Sequence, residues 1–366
     1  MQLTLSFWHG MNRLAGDLVL PPWQGPHPVA IFVHDEGPAT RDQGTWQHRL
    51  AAAGIATFSY DRPGCGESTG DWTLQTLQDR AAETVVAIDL IRGHDAVSAN
   101  DLALIGIGEG AWAALLATAQ SYAAAALVTI SCGALGPLEL EQYRLGRRMN
   151  EAGHGSAEVA LAQTLLRERV RRLTAGEGPD SVLASEAAVH RAGWYRFMPG
   201  SSPQEIAAVA RLSAFDPRPA LSAVHCPMLA LYGALDTVLP VERNTRLLTS
   251  ALTAARHEDH SVIVVPGGDH TLRITATLPA PTPSLSPPLS PSLRPVPVSP
   301  PTASPLSPPV GLVTASPLNP PAGPSPALSK AAGVVGDLAP GVTELVATWL
   351  DRRLGRVDTP NQMARS

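Results

Sequence analysis

LALIGIGEGAWAALLA, residues 102–117, carries the strongest architectural signal in the chain. An apolar run of strand character leads into three glycines at alternating positions, Gly106, Gly108 and Gly110, and then into Ala, Leu and Trp of helical composition. A glycine-rich turn between a strand and a helix serves either to cradle a phosphate on the helix N-terminus or to present a nucleophile on a sharp elbow. The phosphate fingerprint wants a further glycine three residues after the second and belongs to the first βα unit of its domain. Here that residue is Ala111, and several strands with their connecting helices precede the turn, so the spacing favours the elbow.

Outward from this turn, short β-branched or apolar runs alternate with longer Ala/Leu-rich segments of helical period. That is the pattern of βαβ units and a mostly parallel twisted sheet flanked by helices, an α/β fold. Strands are expected over 4–8, 13–20, 29–34, 55–61, 102–106, 126–130, 228–232 and 261–265, the first two pairing as a hairpin, and helices over 43–53, 74–92, 109–119, 241–252 and 341–354. After the sixth strand comes a long helical excursion, 136–221, with AEVALAQTLLRERVRRL as its clearest amphipathic piece, expected to form a cap. The expected organisation is a core over 1–135 and 222–278, a cap over 136–221, an insertion over 279–327, a C-terminal core helix within 328–358 and a tail over 359–366. The insertion reads PAPTPSLSPPLSPSLRPVPVSPP and onward, and holds about half of the chain's 35 prolines, so neither helix nor strand persists in it. Its PxxP spacing permits a polyproline ligand for an SH3-like or WW-like partner, but a low-complexity expansion on a surface loop is the preferred reading.

With 366 residues the chain has ample material for a buried core. A net charge of −5 without any Lys/Arg block argues against nucleic acid or an anionic membrane as partner and leaves small molecules. The first residues show no basic leader followed by an apolar run, and no stretch of about 18 apolar residues occurs, so a cytoplasmic protein is expected. Cys65, Cys132 and Cys226 are far apart and lack ligand spacing, and read as free thiols. His257, Asp259 and His260 read as a polar turn, so neither a metal nor another cofactor is expected. Arg167, Arg169, Arg171 and Arg172 are expected on the wet face of a cap helix.

Several motifs, in order, resemble the α/β-hydrolase superfamily, and more narrowly its bacterial serine esterase and aminopeptidase-like members. PVAIFVHDEGPATRD looks like the strand and oxyanion loop, and YDRPGCGESTGDW like the next strand with its D-x-x-G-x-G-x-S turn. LIGIGEGA falls where the family writes GxSxG, LALYGALDTVLP where it places the triad acid, VVPGGDH where it places the triad histidine, and RLSAFDPRPAL looks like the return from the cap. The resemblance implies ester or amide hydrolysis with Asp236 as acid and His270 as base. It puts Gly108 at the nucleophile position, and the oxyanion donors at Glu109 and Asp35.

Two departures concern the chemistry. Gly108 has no side-chain atom with which to attack a carbonyl, so no acyl-enzyme forms there, while glycine relieves the positive-φ strain of an elbow. Where the family reads His-Gly, this chain reads His34-Asp35, which places a carboxylate beside a developing oxyanion. Three readings follow: a hydrolase of weak or altered activity, with water or a replacement nucleophile such as Cys132; a non-catalytic binder of a small molecule or protein partner in the former active-site pocket; or an ordinary serine esterase with a single substitution, against which Asp35 speaks.

Overall fold

Alternating apolar residues need two buried faces, and the chain supplies them with one eight-stranded sheet. The computed structural model describes residues 1–274 and 336–355; the Pro-rich insertion expected over 279–327 and the tail over 359–366 lie outside the described residues. The strands are β1 (Gln2–His9), β2 (Asn12–Val19), β3 (His27–Val33), β4 (Ala56–Tyr60), β5 (Val97–Ile107), β6 (Ala126–Ile130), β7 (Met228–Gly233) and β8 (His260–Val265), in the order β1-β2-β4-β3-β5-β6-β7-β8. The expected hairpin forms, with Phe7 opposite Leu14, and β2 pairs antiparallel with β4. From β4 onward all neighbours are parallel; Val29 pairs with Leu102, and Leu127 with Met228.

Ten α-helices occur among the described residues: α1 (Thr45–Ala52), α2 (Leu77–Arg92), α3 (Glu109–Gln120), α4 (Pro137–Glu151), α5 (Ser156–Thr174), α6 (Pro179–Ser185), α7 (Pro203–Ser213), α8 (Pro217–Ser222), α9 (Val241–Ala254) and α10 (Val342–Asp351). The period-2 pattern sends Val29, Ile31, Leu102, Leu104 and Leu127 to one face, against α2, α3, α8 and α9. Ala30, Phe32, Ala103, Ile105 and Val128 face the other way, against α1 and α10. The helix expected from residue 74 begins at Leu77 instead, after a separate 3-10 turn at Trp72–Leu74. Thr76 explains the break, because its hydroxyl caps the Asp79 N–H while Asp79 accepts from the Thr76 N–H, a capping box that fixes the helix start. The described chain leaves at Ile274 and returns beside it, the Ile274 N–H donating to the Asp337 carbonyl at 2.8 Å.

Helices α4 to α8 fill the excursion between β6 and β7, and the first two share a small apolar cluster of their own, including Leu145, Met149, Leu166 and Trp194. One expectation is corrected here. Arg169 is not on a wet face: its side chain is fully buried, forked onto both Glu186 oxygens, with Tyr195 and the Pro199 carbonyl as further partners. The helical pattern alone could not reveal this, since the partner carboxylate lies on another helix boundary. Arg169→Ala strands the buried Glu186 charge, and a loss of about 3–5 kcal/mol is expected in chemical denaturation.

Candidate active site

The turn between β5 and α3 has Gly108 at its apex, with φ 52° and ψ −118°, a left-handed conformation that glycine adopts without a Cβ penalty. The Gly108 N–H donates to the Ile130 carbonyl at 2.9 Å, which fixes the apex over the end of β6. Gly110 answers to a different constraint: a Cβ there would run into the Val33 and His34 carbonyls, so glycine lets α3 start hard against the end of β3. At Gly108 a Cβ would overlap all three atoms of the Asp35 carboxyl group. A carboxylate from the neighbouring loop therefore occupies the space where a side chain on the elbow would begin.

Asp35 follows β3 and is anchored from several sides. Its Oδ1 accepts the Glu36 N–H at 2.7 Å and the Glu109 N–H at 2.9 Å; its Oδ2 lies 3.5 Å from His270 Nε2. The loop behind it is held by two arginines. Arg80, on the buried face of α2, donates to the His34 carbonyl and pairs with the Glu109 carboxylate, and Arg62 donates to the Gly37 carbonyl at 2.6 Å. Glu109 thus directs its side chain to Arg80 while its backbone serves Asp35. His34 is buried; it donates from Nε2 to the Tyr60 carbonyl at 2.6 Å and accepts from Gln43 at Nδ1. Burial above all pushes it down to about 4, so it stays neutral and holds the loop in place.

Asp236 and His270, which follow β7 and β8, meet at the same end of the sheet. His270 Nδ1–H donates to Asp236 Oδ2 at 2.7 Å, and Asp236 Oδ1 accepts the Val238 and Leu239 N–H groups, so the buried acid serves both the histidine and its own loop. Ser131, at the end of β6 with φ 51°, donates from Oγ to the His270 carbonyl at 2.7 Å. Burial works against the imidazolium, yet hydrogen bonds to Asp236 and Asp35 and their two charges raise His270 to about 10. Burial likewise opposes ionisation of Asp35, but the His270 hydrogen bond and charge, with the Glu109 and Glu36 N–H groups, hold it at about 2. At neutral pH His270 therefore keeps its second proton, beside Asp236 and Asp35.

The structure therefore brings Gly108, Glu109, Asp35, Asp236 and His270 together. Above them Glu36, Gly108, Glu109, Trp112, Arg144 and His270 help to line a cavity of about 30 Å³, room for two or three waters. Cys132 is fully buried, and burial pushes its thiol up to about 12, so it supplies no thiolate at neutral pH. Contributors that escape the sequence reading include Arg80, Arg62, Gln43, Ser131 and Arg144. Arg144, on α4, donates to the Val238 carbonyl at 3.2 Å and pairs with Glu36 and Glu141, joining the excursion to both site loops. Arg80 leaves a signal, an arginine within the buried stripe of Leu77, Ala81, Thr84 and Ile88. Among the described residues no group of three or more His, Cys, Asp or Glu side chains is arranged to hold a metal ion, and no helix is long and apolar enough to cross a membrane.

This fold and site define a class, and comparison with known proteins gives the same one: residues 30–280 match the alpha/beta hydrolase family. The chain belongs to that family. Among solved structures it is similar to the 2,6-dihydroxy-pseudo-oxynicotine hydrolase, with 17% identity and a TM-score of 0.48 over 74% of this chain and 62% of that one. It is also similar to the dipeptidyl peptidase 4 of Porphyromonas gingivalis, with 14% identity and a TM-score of 0.47 over 74% of this chain and 32% of that one. To Est1E from Butyrivibrio proteoclasticus the figures are 16% and 0.47, over 73% of this chain and 91% of that one. The chain thus spans less than two thirds of the length of the first two, and the activity named for each belongs to that protein. No curated protein matches the chain's sequence.

Proposed function

We propose that this family member acts on a small molecule in the pocket beneath α4 to α8, which serve as its cap, and that serine-type ester and amide hydrolysis is silenced at Gly108. One observation carries the reading: the Asp35 carboxylate stands where a side chain on residue 108 would start. Gly108 and Asp35 together affect three steps of acyl transfer. No hydroxyl is available to attack, so no acyl-enzyme forms. The Glu109 N–H, which would receive the oxyanion, already donates to Asp35, so a substrate carbonyl must displace a carboxylate. His270, already protonated, has no lone pair at Nε2 with which to take a proton at neutral pH. The acidic net charge and the scattered free thiols support a small-molecule ligand and a cytoplasmic setting.

Hydrolysis of nitrophenyl acetate tests the reading. Turnover near the uncatalysed background, unchanged by His270→Ala, is expected. Rapid turnover that His270→Ala abolishes contradicts it.

A further inference from the structure

Away from Gly108, a cleft of about 410 Å³ opens between the β1–β2 hairpin, the loop after β3, the first turn of α1 and the turn after β4. It shares no lining residue with the cavity over His270, and nothing in its chemistry depends on the elbow. Asp17, Asp42, Asp61 and Glu67 line it, with Arg41 and the exposed His48 among them. Arg41 is fully committed: its Nε pairs with Asp17 at 3.1 Å, its Nη1 with Asp61 at 3.1 Å and its Nη2 with Glu67 at 2.9 Å. One guanidinium thus faces four carboxylates, which leaves the cleft a charge of −3 with His48 neutral. Asp17 and Asp61 are buried in its wall, and a concave wall of low dielectric focuses such a field on whatever enters.

A second observation, independent of charge, points to a ligand. The Gln47 residue is only 6% exposed, and its Oε1 accepts the Gln43 N–H at 3.1 Å. Its Nε2 has no hydrogen-bond partner among the described residues, yet it is not sealed from solvent, and Gln47 lines the cleft, so the unused donor opens there. A nearly buried amide donor left in this state gains from any acceptor that a ligand supplies. Two acceptors are unused as well. Asp42 accepts the Gly44 N–H with Oδ1 and Glu67 accepts from Arg41 with Oε2, which leaves Asp42 Oδ2 and Glu67 Oε1 without partners among the described residues. We propose that this cleft binds a small organic polycation that carries a carbonyl oxygen, an amino-acid amide with a basic side chain being the simplest. Its ammonium groups meet Asp42 Oδ2 and Glu67 Oε1, and its carbonyl accepts from Gln47 Nε2. A free amino acid fits less well, because its carboxylate enters the same negative field.

Lysinamide titrated into nitrogen-15-labelled full-length protein provides the test. The Gln47 side-chain amide signals are expected to shift and to saturate. Asp42→Asn combined with Glu67→Gln keeps the size of both side chains while removing two charges, and is expected to weaken binding at least about tenfold. Norleucinamide, which lacks the side-chain ammonium, and cadaverine, which lacks the carbonyl, are each expected to bind several-fold more weakly than lysinamide. Signals that never saturate overturn the proposal, as do shifts confined to residues around His270. Equal affinity in the double variant overturns it too, and cadaverine bound as tightly as lysinamide removes the role of Gln47 on which it stands. Asp42 and Glu67 are exposed, and the wild-type titration reads the cleft whether or not the double variant folds.

Discussion

Gly108→Ser alone is expected to leave nitrophenyl acetate turnover at background, whereas Gly108→Ser combined with Asp35→Gly is expected to raise kcat/KM by at least about a thousand-fold. The reason is steric before it is chemical. A serine Cβ at residue 108 overlaps the Asp35 carboxyl group, so the single variant must expel that carboxylate from its two N–H donors. It must also accept φ 52° with a Cβ, and the two effects together are expected to cost about 1–3 kcal/mol of stability. Asp35→Gly clears the space, frees the Glu109 N–H for an oxyanion and removes one of the anions that keep His270 protonated. The introduced hydroxyl of the double variant would then have a base, an oxyanion donor and the intact Asp236–His270 pair. Removing such a nucleophile in comparable triads costs on the order of a million-fold, so partial recovery of a thousand-fold is a conservative expectation. A folded double variant that stays inert, or a single variant equally active, contradicts this account.

The second large effect is on stability against pH. His270 is raised from 6.5 to about 10 by the fold, so its contribution to stability is complete below about pH 6.5 and is lost as pH climbs towards 10. Asp35 is lowered from 3.8 to about 2, so its contribution is complete above about pH 4 and is lost as pH falls towards 2. Between these limits the site contributes most. Linkage at about 1.4 kcal/mol per pH unit puts the alkaline loss at roughly 4–5 kcal/mol if the whole interval is traversed. Urea denaturation at a series of pH values is expected to show that fall in the wild type. In Asp35→Asn, where only Asp236 holds the proton, the fall is expected to begin lower and be smaller. Identical alkaline profiles for the two proteins count against the pairing of Asp35 with His270.

Much of this molecule is legible in its residues because the relevant signals are local. All eight strands lie where β-branched runs alternate or stay continuously apolar, and the β5 to α3 turn is marked by its glycines. Asp236 and His270 each lie in the loop after a late strand within recognisable flanks, and the sheet order brings them to 2.7 Å. The coupling of Gly108 to Asp35 is less legible, since 73 positions separate them and only parallel pairing of β3 with β5 makes them neighbours. From sequence, Asp35 reads as a charge near the pocket; in the fold it is the group that fills the elbow. Arg169 misleads for a similar reason, because a buried guanidinium and a solvated one share the same helical spacing until the partner carboxylate is placed.

The central claim is that the Asp35 carboxylate, standing in for the side chain that Gly108 lacks, pairs with His270. Nitrogen-15 NMR of the His270 ring across pH tests it most directly. Both ring nitrogens are expected to remain protonated through pH 8, losing a proton only near pH 10, with the midpoint moved lower by a unit or more in Asp35→Asn. A wild-type midpoint near 6.5 that Asp35→Asn leaves unchanged would contradict the claim.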